Sequence, residues 1–383
     1  MSHHSSLAKE ARQSYLEGRY AESALVYRRA AAAALDIGDR AAWFGHTSWA
    51  ASATKNLGDL PSALALFLAA RQAEPEDAPQ FEAWMARKDL IDITLATHPE
   101  VTRLESLFGD LRGYALTNHV CRGDIPYLEA EFRRMKGEWS AALNGCETAW
   151  REHDGSGYLK SKTAYTAAQC ALQLGQRSVC ADWIEAMSGC DQEFRTTPAI
   201  RSEMALKLAV AEGRDPHEVA TKLRTYADAV VGIDEAVSVA ALREVTARVH
   251  LLDSTNGDPA ARRHPSRREL CRRCPRRYSV ERRYGARVLL LDYRLACLRH
   301  AVGVPPVDDV YYTRFQRVPT HVVPSDAAVF ARRLRKARAA AQWAMRYAEE
   351  LDGMLRCNWR QQDVRARMTR IEQIAQAVGA DAS

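Results

Sequence analysis

Long apolar runs are absent from this 383-residue sequence. The longest uninterrupted run, Ala63 to Ala70, has eight residues, far fewer than the roughly 20 that a membrane-spanning helix needs. The N-terminus has no basic stretch followed by an apolar stretch, so no secretory signal is expected. Hydrophobic residues still make up 47% of the chain, which is enough for a packed core. We expect a soluble cytoplasmic protein without a membrane partner. Nine cysteines, an odd and scattered number, then predict free thiols in a reducing compartment.

Sequence patterns of common catalytic sites are also missing. The chain lacks Gly-x-Ser-x-Gly, His-Glu-x-x-His, the Walker phosphate loop and Gly-x-Gly-x-x-Gly. Asp308 and Asp309 are adjacent, but no histidine or second acidic pair lies near them in the sequence, which favours a solvated loop. We therefore expect no enzymatic activity and no cofactor.

Lysine is scarce: only 9 of the 54 basic residues (Lys plus Arg) are lysine. Arginine is the default cation of this chain, and an arginine cluster therefore has less functional significance than usual. The charge is nevertheless uneven: residues 1–250 hold 28 basic and 34 acidic residues, whereas residues 251–383 hold 26 and 14. The densest segment, Arg262 to Arg287, has eleven arginines and two glutamates. Such a segment indicates an acidic partner.

An internal repeat runs through the first 230 residues. Its clearest copies have a glycine, an aromatic residue or leucine two positions later, and a small residue three positions after that. The strongest copies begin at Gly18, Gly58 and Gly137, and weaker ones at Gly175 and Gly213. The spacings are 40, 79, 38 and 38 residues. Because 79 is two periods, a further turn is predicted near His98-Pro99.

The repeat predicts stacked helical hairpins. A glycine between two apolar stretches ends the first helix by adopting positive φ. The small residue, such as Ala63, allows two helices to approach closely, and the large residue four positions later, Phe67, fills the space between them. One hairpin cannot bury its apolar face alone, so neighbouring hairpins must stack into an α-solenoid.

These residues resemble the tetratricopeptide repeat over about residues 5–230. The copy at Gly58 matches the second-helix pattern of that family through the closing Pro75. The period of 38–40 residues and the missing first-helix signature mark a divergent member. The resemblance implies an all-α, right-handed solenoid over residues 1–252. An Arg-rich linker over 253–287 and a basic helical region over 288–383, which can cap the solenoid, complete the predicted organisation.

The resemblance implies protein or peptide binding, since first helices line the concave face in that family. The expected function is an interaction scaffold or adaptor that holds a peptide or a partner helix in this groove; a peptide-responsive regulatory sensor is an alternative. The tryptophans Trp43, Trp49, Trp84 and Trp183 are interpreted as core. Positions carried over from the family give these groove residues: Arg12, Tyr15, Lys55, Asn56, Tyr127, Glu131, Arg134, Tyr165, Gln169 and Gln173.

Two further sites are open alternatives in the C-terminal third. The first is nucleic-acid binding, with Tyr278 and Tyr284 able to stack on bases. Its anion-binding residues are Arg267, Arg268, Arg272, Arg273, Arg276 and Arg277. The second is a zinc site with ligand-like spacing, formed by Cys271, Cys274, Cys297 and His300. Free thiols and a surface histidine are the favoured interpretation of those four residues, so no metal is expected. The sequence sets no expectation for the oligomeric state.

Overall fold

The computed structural model describes residues 2–118, 120, 123–153, 157–190, 196–231, 279–303 and 324–379. Within these ranges the ordered elements are fifteen α-helices and one 3-10 turn, without a β-strand. None of the helices in the described ranges is both long and apolar enough to span a bilayer. The structure therefore confirms the predicted all-α fold class.

The described residues form two compact units. The first contains residues 2–205 and 225–231 with residue 279, and the second contains 206–224, 280–303 and 324–379. Six hairpins account for the first twelve helices of the chain. Their bounds are α1 His3–Leu16, α2 Tyr20–Asp36, α3 Arg40–Asn56, α4 Leu60–Gln72, α5 Gln80–Thr97, α6 Val101–Thr117, α7 Asp124–Met135, α8 Trp139–Glu152, α9 Gly157–Gln173, α10 Arg177–Ala186, α11 Thr196–Ala211 and α12 Pro216–Ala229.

The turn inside each hairpin lies where the sequence places it. At Gly58, with φ of +87°, the backbone N–H donates to the Lys55 carbonyl at 2.9 Å, and the Asp59 N–H donates to the Thr54 carbonyl at 3.2 Å. This pattern satisfies two carbonyl groups at the end of α3, and glycine adopts positive φ without a Cβ clash. The same φ region recurs at Gly18, Gly137, Gly175 and Gly213. The degenerate turn at His98-Pro99 also separates two helices, α5 and α6, so the predicted repeat is confirmed.

The small and large residues of the repeat pack as predicted. Ala63 is fully buried, and Phe67 is fully buried one turn later on α4. Both belong to one core cluster with residues of α3 and α5, including Phe44 and Ile93. In the first hairpin Ser23 takes the place of the alanine, and its hydroxyl donates to the Ala11 carbonyl at 2.9 Å. Close helix approach in these two hairpins therefore comes from a small side chain at the same position of the repeat.

Three long helices occupy the C-terminal part: α13 Val280–His300, α14 Ala327–Leu355 and α15 Trp359–Ala377. Contacts from Arg287 to Trp343 and from Arg333 to Cys297 make α13 and α14 antiparallel. The first of these three helices begins eight residues before the predicted helical region over 288–383, and the other two lie inside that region. The predicted domain boundaries near 252 and 287 and the capping role remain predictions. Residues 232–278 lie outside the described ranges, whereas residues 280–287 form the start of α13.

A buried ion pair ties α14 to α15. Arg360 Nη1 lies 3.1 Å from Asp352 Oδ1, and both side chains are fully buried. Asp352 Oδ2 also accepts from the Gln361 backbone N–H at 3.0 Å. The guanidinium lies 4.2 Å from the centroid of the Trp359 ring. Charge, hydrogen bonding and an aromatic face therefore together offset part of the hydration that both ions lose, while Arg360 Nε and Nη2 are buried without a hydrogen-bond partner among the described residues.

Candidate functional site

Polar contacts join the first helices of successive hairpins. Asn56 of α3 donates to the Tyr15 hydroxyl of α1 at 2.8 Å. Further along, Trp84 Nε1 of α5 donates to Asp124 of α7 at 2.6 Å, and the Thr166 hydroxyl of α9 donates to Glu131 of α7. The Tyr165 hydroxyl of α9 donates to Glu203 of α11 at 3.1 Å. These bonds fix the lateral spacing of the helices.

The strongest of these contacts surrounds Lys55. Its Nζ lies 2.6 Å from Asp89 Oδ1 and 3.0 Å from Asp92 Oδ2, so one α3 ammonium pairs with two α5 carboxylates. Burial by itself lowers the pKa of Lys55, but the two carboxylates outweigh it and hold the pKa above its usual range. The pKa of Asp92 is lowered, because nearby lysines outweigh its burial, Lys55 first. Lys55 is therefore committed to holding α3 against α5.

A cleft of about 610 Å³ opens between α1, α3 and the start of α5. Its lining is mostly apolar, with a few polar and charged groups placed around it. The lining residues are Ala8, Lys9, Arg12, Tyr27, Ala41, Ala42, Gly45, His46, Trp49, Pro79, Phe81 and Glu82. A concave, mainly apolar cavity with a few convergent polar groups has the general form of a ligand-binding site.

Aromatic rings converge on Trp49 at this cleft. The ring stacks on Tyr27, with centroids 5.9 Å apart, and on Phe81, with centroids 6.0 Å apart. Tyr15 meets the ring of Trp49 edge-on at 5.4 Å. Tyr27 and Tyr15 are buried, whereas 58% of the Phe81 surface is exposed. The cleft therefore has an aromatic wall with rigid backing and one ring, Phe81, largely open to solvent.

Charges lie at the edge of the aromatic wall. The Arg12 guanidinium carbon is 5.5 Å from the centroid of the Trp49 ring, and both Arg12 and Lys9 are exposed. Glu82 is held by Trp49 Nε1, which donates to its carboxylate at 3.1 Å. The two cations exceed the single carboxylate, so the rim of the cleft favours an anionic group.

Two histidines lie beside the cleft. His4 Nδ1 and His46 Nε2 share a hydrogen bond of 3.1 Å, and His4 Nε2 is 3.7 Å from Asp39 Oδ2. Burial and the neighbouring His4 lower the pKa of His46. His46 therefore lines the cleft as a neutral imidazole at physiological pH, able to donate or accept one hydrogen bond.

The structure distributes the predicted groove residues among different roles. Arg12 reaches the cleft, and Tyr15 backs it. Asn56 and Tyr127 are buried, and Gln173 is exposed. The remaining members hold helices or each other, or are partly exposed: Lys55, Glu131, Arg134, Tyr165 and Gln169. A direct role for any of the ten in partner binding stays a prediction.

Sequence reasoning missed most of the cleft. Trp49 is half-buried and borders the cavity, so the interpretation of it as core describes only one part of its surface. By contrast, Trp84 is buried, as that interpretation requires. Phe81 directly follows the connection between α4 and α5 and has no repeat signature. Only the stacking of hairpins brings Phe81 to Trp49, which lies 32 positions earlier in the chain.

The two C-terminal alternatives lie largely outside the described residues. The six arginines proposed for anion binding fall in residues 232–278, as do Cys271 and Cys274. Cys297 is buried, and His300 at the end of the same helix is exposed. Across the described ranges, no group of three or more His, Cys, Asp or Glu side chains is placed to hold a metal ion. Arg283 and Arg287, in the described end of the arginine-rich segment, pack over the Tyr347 ring.

Comparison with known proteins finds a distant structural similarity. A scan against protein-family models finds no match, and a search of the curated proteins finds none either. Among solved structures, the chain is similar to a Rap protein complexed with competence and sporulation factor. The two are 10% identical with a TM-score of 0.45, and the alignment covers 88% of this chain and 98% of that chain. A match at this level carries no conclusion about what the present chain binds.

Proposed function

We propose that this chain is a protein-binding scaffold whose N-terminal unit captures an extended segment of a partner protein. The observation that carries the proposal is the cleft bounded by Trp49 and Phe81. Its cavity of about 610 Å³ is large enough for an apolar side chain with adjoining backbone. An aromatic ring that is 58% exposed beside such a cavity becomes buried when a partner binds, which favours association.

The chemistry of the cleft indicates which peptide sequence it prefers. The aromatic wall accepts an aliphatic or aromatic side chain, which is the usual anchor of a peptide interface. Arg12 and Lys9 lie at the rim and pair with an acidic residue next to that anchor. Neutral His46 supplies one hydrogen bond to the peptide backbone. The preferred ligand is therefore a peptide with an apolar residue adjacent to Asp or Glu.

Selection from a random-peptide display library against the full chain tests this preference. Enriched sequences are expected to pair an apolar residue with an adjacent acidic residue. Arg12→Gln should weaken binding of a selected peptide by about threefold to tenfold, because it removes one partly exposed charge pair. The measurement is fluorescence anisotropy of the labelled peptide.

The matched control is Arg29→Gln, which removes the same charge from an exposed position of α2 that does not line the cleft. It should leave the affinity within about twofold, since distant exposed charges are screened by salt. Library selection without enrichment, or equal losses in Arg12→Gln and Arg29→Gln, would contradict the proposed function.

A further inference from the structure

One stretch of α14 is free of acidic residues. Residues 327–348 contain six basic residues and no Asp or Glu. The helix has an N-cap at Asp326, whose carboxylate accepts from the Val329 N–H at 2.9 Å, and it reaches Glu349 before the next acidic residue. This concentration of positive charge lies within one rigid element rather than a loop.

Four of these cations share one face of α14. Arg332, Arg335, Lys336 and Arg346 are all exposed. With about 3.6 residues per turn they fall within an arc of about 100°, and they extend about 21 Å along the helix. The opposite side carries the buried residues, such as Leu334. The basic face, defined by these four residues, is therefore the solvent side of an amphipathic helix.

Four other cations of α14 and α15 are already used in packing. Arg338 pairs with Glu372 at 2.5 Å, and Arg333 donates to the Cys297 carbonyl at 2.9 Å. Arg360 and Arg367 are buried in ion pairs. Among the described residues, none of the four cations of the basic face has an ion-pair partner. These four cations can therefore pair with an external polyanion.

We propose that the basic face of α14 binds the phosphate backbone of duplex nucleic acid. Cations at positions i, i+3 and i+4 lie about 5–6 Å apart at their Cβ atoms, close enough to contact neighbouring phosphates together. Between Lys336 and Arg346 the exposed residues are Ala339 and Gln342. Trp343 lies on the same side of the helix, but it is half-buried and the Arg287 guanidinium packs 4.6 Å from its ring centroid. Its ring is therefore already engaged within the fold, which disfavours stacking on unpaired bases. Contacts of this kind set affinity without reading sequence.

Other polyanions fit this surface less well. A protein partner usually needs an aromatic or aliphatic anchor, and the exposed residues between the cations of the basic face are small or polar, Ala339 and Gln342. A helix lying on a membrane buries large apolar side chains. No large hydrophobic residue within the described residues of the three C-terminal helices is strongly exposed. The basic face therefore offers positive charge without an exposed apolar surface, which favours nucleic acid over a protein or a membrane as its partner.

The test compares two full-length variants of equal charge. One replaces Arg332, Arg335 and Lys336 with glutamine; the other replaces Arg29, Arg40 and Arg103, which are exposed positions of the N-terminal unit. Binding to a labelled DNA duplex of mixed sequence is measured by anisotropy at several salt concentrations. The α14 variant should lose about tenfold or more in affinity at about 50 mM salt, and its log–log salt slope should fall by about 2.7, from three phosphates at 0.9 each.

The control variant should retain the affinity and slope of the wild type within about twofold. Circular dichroism of both variants checks that the helices persist. Equal losses in the two variants would overturn the proposal, since only net charge would then matter. It would also be overturned by absence of duplex binding in the wild type, or by preferential α14-dependent binding of anionic lipid vesicles or polyglutamate.

Discussion

Replacing Asp352 with alanine should destabilise the C-terminal three-helix unit by about 3–5 kcal/mol, since it leaves the Arg360 guanidinium buried without its counterion. The two side chains are both fully buried, with 3.1 Å between Nη1 and Oδ1. The substitution also removes the acceptor for the Gln361 N–H at the start of α15. Denaturant unfolding of the full chain, followed by circular dichroism, measures the loss.

A surface ion pair between the same two helices provides the control. Arg338 and Glu372 join α14 to α15, but their side chains are 34% and 45% exposed. Glu372→Ala should therefore cost at most about 1 kcal/mol. If Asp352→Ala lowered the free energy of unfolding as little as Glu372→Ala does, the buried Arg360–Asp352 pair would contribute no more to stability than a surface pair.

Replacing Lys55 with methionine should cost about 3–5 kcal/mol at neutral pH, because two α5 carboxylates then lose the cation that pairs directly with both of them. Lys55 is 12% exposed, and Asp89 and Asp92 are 5% and 24% exposed. The matched control is Lys136→Met, at a more exposed pair with Glu138, where about 1 kcal/mol or less is expected. Unfolding midpoints of the three proteins give the comparison.

The cost of Lys55→Met should depend on pH. In the wild type the pKa of Lys55 is raised and that of Asp92 is lowered. The pair therefore stabilises the fold fully above the unfolded Asp pKa near 3.9 and below the unfolded Lys pKa near 10.4. It weakens as pH falls through the lowered pKa of Asp92. The deficit of the variant should shrink as the pH falls below about 4, and a pH-independent deficit would rule out the electrostatic explanation.

The hairpin turns were predictable because their cause is local. Positive φ at Gly18 or Gly58 is a property of one residue, and it ends a helix wherever it occurs between two apolar stretches. The start of α14 has an equally local signal, the Asp326 N-cap. Because these local signals recur along the chain, the order of the hairpins can be predicted without knowledge of long-range contacts.

The cleft could not be predicted in the same way. Trp49, Phe81 and Arg12 come from three hairpins, and their contacts depend on the relative rotation of α1, α3 and α5. Family positions select residues on the first helices but do not specify which face each residue occupies here. Asn56 shows the difference: it has a groove position by analogy, yet it is 6% exposed and donates to Tyr15.

The affinity of a library-selected peptide for Phe81→Ala tests the central claim most directly. Phe81 is 58% exposed, so its truncation should leave folding nearly intact, and Leu116→Ala, at an 88% exposed residue of α6 away from the cleft, is the matched control. If the cleft holds the partner, Phe81→Ala weakens binding by about tenfold or more, or about 1.4 kcal/mol, whereas Leu116→Ala binds as the wild type does. Equal affinity of the two variants would contradict the assignment of the cleft as the binding site.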